Sequence, residues 1–185
     1  ADPHVYIIDD GGVDDASLDT LELEFLEARE PRVSIVVPVF NEYRVTANCL
    51  RSLHGARTDA TFEVIVADDG SSDATTSIEE RMRGIRVVRG GENLGFLGNC
   101  NRAAREARGE FLLLLNNDTV VTDGWLDALL EPFADATVGA TGPKLLFADG
   151  RLQEAGGIIW RDASGWNFGR ADSPDKPAYN YRREV

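Results

Sequence analysis

The feature that most restricts the fold is a regular alternation, from residue 32 to residue 147, of apolar β-branched runs with helix-like stretches. "RVSIVVPV", "FEVIVADDGSS", "IRVVRG", "EFLLLL" and "VGATGPKLLF" read as strands. Between them, "NEYRVTANCLRSLHG" reads as a helix closed by Gly55, and "SDATTSIEERMRG" as a helix capped by Ser72 or Asp73. "GFLGNCNRAAREARG" is a third helix stopping at Gly109, and "DGWLDALLEPFAD" a fourth whose last turn Pro132 interrupts. Strands separated by helices demand crossovers, so an α/β sandwich with a mainly parallel sheet is expected. The unbroken "FLLLL" fits a strand covered on both faces, as in such a sheet.

The flanks differ from this core. Residues 1–30 are acidic and are expected to form a linker or arm, with a flexible "DDGGVDDAS" and a short amphipathic helix in "LDTLELEFLEARE". That helix would place Leu18, Leu21, Phe25 and Leu26 on one side and end at Pro31. After Asp149 the alternation stops, and "GRLQEAGGIIWRDASGWNFGR" reads as short strands joined by a turn at "DASG". The expected organisation is therefore an arm over 1–30, a core domain over 31–148, and a hairpin and loop extension over 149–185.

Composition narrows the partners. Nineteen lysines and arginines against 32 aspartates and glutamates give a net charge of −13, which opposes non-specific nucleic-acid binding. An anionic small ligand remains compatible, because backbone amides and a metal hold phosphates on acidic proteins. The two cysteines, Cys49 and Cys100, have no CxxC spacing, which fits a reducing, cytoplasmic setting. No apolar run approaches bilayer length, and the two histidines, His4 and His54, lack partners at metal-ligand spacing.

Four strands end in polar clusters: "PVFNE" at 38–42, "DDGSSD" at 68–73, "NLGFLGN" at 93–99 and "NNDT" at 116–119. One such end is a turn, but four at the carboxyl edge of a parallel sheet describe a crevice where ligands bind. A dinucleotide fold needs GxGxxG in its first turn, and "PVFNEYR" has no glycine; a P-loop needs GK[ST], which is absent. Carboxylates in place of glycines suggest another way of holding a nucleotide. An aspartate after the second strand can accept hydrogen bonds from a base or ribose. One after the fourth can hold a divalent cation whose shell the diphosphate completes.

The ordered set "VSIVVPVFNE…FEVIVADDGSSD…NLGFLGNCNRA…GEFLLLLNNDT" resembles the inverting nucleotide-sugar glycosyltransferases of the GT-A fold, and among them the bacterial rhamnosyltransferase-type enzymes of surface-polysaccharide assembly. The resemblance covers residues 31 to about 183. It implies a Rossmann-like three-layer sandwich whose C-terminal part lies outside the 185 residues, a longer multidomain chain, and a place in the cytoplasm or at the inner face of the cell membrane.

For the site, it implies that Pro38, Val39, Phe40, Asn41 and Glu42 line the base and ribose, and that Asp69 pairs with the nucleobase while Asp68 anchors the loop. Asn93, Gly95 and Asn99 lie beside the nucleotide. Asn116-Asn117-Asp118 stands at the Asp-x-Asp-type motif, with Asn117 near the sugar and Asp118 as the ligand of Mg²⁺ or Mn²⁺. The implied donor is a UDP-, dTDP- or GDP-sugar, and the acceptor a glycan or lipid-linked glycan. The family's general base sits in a downstream acidic motif, which is expected beyond Val185. The alternative is a nucleotide-sugar binding module without catalysis; a nucleotidyltransferase is a weaker third reading, because "PVFNEYR" lacks a basic glycine-rich loop. Trp160 and Trp166 flank the "DASG" turn and either pack the hairpin or stack on an acceptor sugar.

Overall fold

The computed structural model describes residues 4–7 and 13–180. Along the chain the strands are β1 (Val5–Ile7), β2 (Leu23–Glu24), β3 (Val33–Val39), β4 (Phe62–Asp68), β5 (Met82–Arg83), β6 (Arg86–Arg89), β7 (Phe111–Leu114), β8 (Thr119–Val121), β9 (Leu145–Phe147), β10 (Leu152–Glu154), β11 (Gly157–Ile159) and β12 (Gly165–Asn167). The helices are α1 (Tyr43–Gly55), α2 (Ile78–Arg81), α3 (Gly95–Ala104) and α4 (Trp125–Leu130). The architecture is α/β with a parallel sheet, as the alternation predicts. Among the described residues no helix is long and apolar enough to cross a membrane.

The chain divides into two units, one of residues 12–55 and 59–119, the other of residues 1–11, 56–58 and 120–185. In the first, four strands order as β6-β4-β3-β7, every neighbouring pair parallel. The chain steps outward from β3 to β4 to β6 and then jumps back to β7. Right-handed crossovers therefore put α1 and α2 on one face and α3 on the other. Val33–Val39 and Phe62–Asp68 are buried almost throughout, because both faces of these central strands are covered. On the α3 face, Val36, Ile65, Ala67 and Ala103 form the core, with Val88 and Ala107 packed against it.

Three expectations need correcting. The fourth strand is not covered on both faces: β7 is the sheet edge, α3 packs over β3 and β4, and Leu112 and Leu114 are half-exposed. The "LDTLELEFLEARE" stretch is not a helix. It is a 3-10 turn over Ala16–Thr20, with Asp15 accepting from the Ser17 amide, followed by β2, which pairs in parallel with β5. Leu18 and Phe25 are still buried, but Leu26 is almost fully exposed. The helix expected over "SDATTSIEERMRG" is reduced to one turn, α2. Asp73, Thr76 and Ser77 spend their side chains on local backbone bonds that favour a 3-10 turn over Ala74–Ser77.

In the other unit a sheet orders as β10-β9-β1-β8, with β1 parallel and β10 antiparallel to β9. α4 gives way to a 3-10 turn at Glu131–Ala134, where Pro132 cannot continue the helix. Trp125 is in the core. β11 and β12 form the hairpin around "DASG", and both Trp160 and Trp166 are more than half exposed on it. The "DDGG" segment and Arg182 and Arg183 lie outside the described residues.

Candidate functional site

Because its strands are parallel and β3 and β4 are in register, Val39, Asp68 and Arg89 end level with one another, while β7 ends opposite Val36. The Leu115 amide extends the β7 ladder by donating to the Val36 carbonyl at 2.9 Å. All four polar strand ends thus lie on one edge of this unit's sheet.

The first end is strained. Asn41 and Glu42 both take left-handed backbone angles, φ 59° and 58°, each costing roughly 1–2 kcal/mol for a residue with a side chain. Hydrogen bonds to the second end hold them there. The Asn41 amide donates to Ser71 Oγ at 2.7 Å, Asn41 Oδ1 accepts from the Ser72 amide at 2.8 Å, and the Tyr43 amide donates to Asp73 Oδ2 at 2.9 Å. Burial raises the Asp73 carboxyl, but the hydrogen bonds from Thr75 and the Tyr43 amide outweigh it and leave it below the usual range. Phe40 and Glu42 stand exposed on the rim, Pro38 is partly buried and Val39 is in the core.

The paired aspartates of the second end differ. Asp68 is consumed by the fold: Oδ1 accepts from the Ser71 amide at 2.9 Å and Oδ2 from Arg89 Nε at 3.1 Å. Asp69, 4% exposed, sits at the floor of the edge. Its amide donates to the Val39 carbonyl, and Oδ1 accepts from the Leu94 amide at 2.9 Å, 3.6 Å from Arg102 Nη2. At the third end Asn93 Oδ1 accepts from the Gly95 amide at 3.0 Å, and Gly95 opens α3 with φ 69°, a value that suits glycine.

Two expected ligand residues turn inward. Asn99 is buried, its Nδ2 donating to the Ala67 carbonyl and its Oδ1 accepting from Arg102, both at 2.6 Å. Asn117 Nδ2 donates to Thr46 Oγ1 on α1 at 3.0 Å. Sequence reasoning missed Arg102, because an arginine on a helix between small residues looks like a surface residue.

At the fourth end the Asn116 carbonyl accepts from Thr119 Oγ1 at 2.6 Å, with Cys49 Sγ 3.8 Å away. Burial pushes the Cys49 thiol up to about 12, and the nearby negative charge of Asp118 adds to that. Among the described residues no three His, Cys, Asp or Glu side chains gather into a cation site. A single carboxylate, Asp118, does not suit a resident ion. It does suit Mg²⁺ or Mn²⁺ arriving with a diphosphate, whose oxygens and water complete the shell.

The comparisons decide the family, for residues 34–174 match the description "Glycosyl transferase family 2". The chain belongs to glycosyl transferase family 2. This family-2 domain is 34% identical over 135 residues to an uncharacterized protein, y4gI, of Sinorhizobium fredii, covering 70% of this chain and 15% of that protein. It is 35% identical over 133 residues to the O-antigen biosynthesis protein RfbC of Myxococcus xanthus, covering 70% of this chain and 10% of that protein. Among solved structures it is similar to S. aureus TarS 1-349, with 30% identity and a TM-score of 0.47 over 55% of this chain and 32% of that one. The chain thus spans a small part of the length of the relatives it matches.

Proposed function

We propose that this family-2 domain holds the nucleoside diphosphate sugar donor of an inverting glycosyltransferase that builds a bacterial surface polysaccharide. The observation that carries the reading is the meeting of four polar strand ends on one sheet edge, with Asp69 buried at its floor and Phe40, Glu42, Asn93 and Gly95 around it. The RfbC relative's role in O-antigen biosynthesis supports the choice of acceptor, a glycan or lipid-linked glycan.

In this reading Asp69 accepts a hydrogen bond from the base, an arrangement that selects bases with an N–H on their pairing edge. Phe40 packs against the nucleoside, and the strained Asn41–Glu42 turn presents its backbone to the ribose. Asn93 keeps the start of α3 open, so that Gly95 lets the ligand approach the main chain closely. Asp118 would hold a divalent cation, which supplies charge neutralisation for the departing diphosphate. Orientation of the anomeric carbon is this domain's contribution to rate.

A melting-temperature screen with UDP, dTDP and GDP and their sugars, with and without manganese, tests the reading. One nucleotide should raise the midpoint well above the others, because a ligand that prefers the folded state stabilises it. No shift with any nucleotide at millimolar concentration would refute it.

A further inference from the structure

Arg102 connects the floor of the site to the strand that carries it. Its Nη2 donates to the Asp68 carbonyl at 3.0 Å and to Asn99 Oδ1 at 2.6 Å, and lies 3.6 Å from Asp69 Oδ1. Asn99 is itself fixed by the Ala67 carbonyl. Hydrogen bonds therefore run from the β4 backbone through Asn99 to Arg102, and an ion pair at 3.6 Å continues from its guanidinium to the Asp69 carboxylate. The guanidinium lies against Gly90, where a methyl group would overlap it. Arg102 Nε is buried with no hydrogen-bond partner among the described residues. Burying an N–H in this way is a cost that a residue kept for stability alone would avoid.

We infer that Arg102 is a positioning residue for Asp69, holding its carboxylate in the one orientation that reads the base. The inference rests on the proposed donor-binding role of Asp69. One carboxylate oxygen, Oδ1, accepts from the Leu94 amide and sits in an ion pair with the guanidinium 3.6 Å away, so both act on the orientation of the group before any ligand arrives. A recognition group must be held to within about half an ångström to discriminate. Without the guanidinium the Leu94 amide alone restrains the carboxylate, which then turns more freely about its own side chain and distinguishes less well between bases. Gly90 belongs to the same device, since only a residue without a side chain leaves room for the guanidinium.

The test is calorimetric titration of the folded protein with the best-bound nucleoside diphosphate and with one of a poorly bound base, taking the ratio of affinities as the readout. Asp69→Asn should lower affinity for the preferred nucleotide about tenfold to a hundredfold and collapse the ratio. Arg102→Met should also shrink the ratio, Arg102→Lys should restore part of it, and Gly90→Ala should mimic Arg102→Met without removing any charge. Gly90→Ala meets only the far end of a flexible side chain, so it leaves the fold in place. If Asp69→Asn collapses the ratio while Arg102→Met and Gly90→Ala leave it intact, Asp69 reads the base and Arg102 does not position it. An equal loss for both nucleotides in Arg102→Met would make the arginine merely structural, which also overturns the inference. An unchanged ratio in Asp69→Asn overturns the reading of Asp69 and the inference with it.

Discussion

Asp69 and Asp118 both follow strands, yet their surroundings differ. Asp69 is buried, accepts from a main-chain amide and pairs with a guanidinium 3.6 Å away, whereas Asp118 is half-buried beside a thiol of high pKa. Asp118→Asn keeps the shape and removes the charge. It should abolish the gain that manganese gives to nucleoside diphosphate binding while leaving binding of the free nucleoside nearly unchanged. Paired titrations with and without the metal check this, and a full manganese effect in the variant would free Asp118 of the role. The places of Asp69 and Asn41 at the carboxyl ends of buried strands were legible in the sequence, because an apolar β-branched run marks where such a strand stops. The inward turn of Asn99 and Asn117 was not legible, because their partners, Ala67 and Thr46, lie 32 and 71 residues away, a distance over which residue type carries no signal.

Elements held together from opposite ends of the sequence obey the same limit. β3 and β4 were legible as β-branched runs, but the bond between β2 and β5 joins two-residue strands that no periodicity reveals. At the amino end of the β3–β4 pair, Glu63 gathers Ser34 Oγ at 2.7 Å, Arg108 Nη2 at 2.7 Å and Arg86 Nη2 at 3.0 Å. Burial pushes its carboxyl up, but these donors outweigh burial and leave it below the ordinary glutamate range. A carboxyl depressed in the folded state stabilises above its unfolded pKa, about 4.3, and loses that contribution as pH falls through its folded value. Glu63→Gln should therefore cost roughly 1.5–3 kcal/mol at neutral pH and flatten the acid limb of stability below about pH 4.3. Urea denaturation at pH 7 and pH 3 measures both; equal losses at the two values would contradict this.

On the scale of the whole molecule, the division into units is not contiguous in sequence. Residues 56–58 join the segment after Val120 because Arg57 makes a two-pronged ion pair with Asp123 and its carbonyl accepts from the Gly124 amide. The alternation of strands and helices could not announce this, since it reports neighbours along the chain only. The unit that carries the strand ends also holds both free cysteines, Cys49 and Cys100, buried on α1 and α3. A thiol whose pKa is about 12 is thiolate to only about one part in 10⁴ at pH 8, so Cys49 is chemically silent while folded. Alkylation of Cys49 then becomes a clock for opening of this unit. Native protein should resist iodoacetamide for hours, and a bound nucleotide should slow the reaction further by the factor one plus its concentration over Kd. Rapid labelling of the native chain would contradict this. Cys49 would then report nucleotide occupancy by mass spectrometry without an acceptor, a product or an added label.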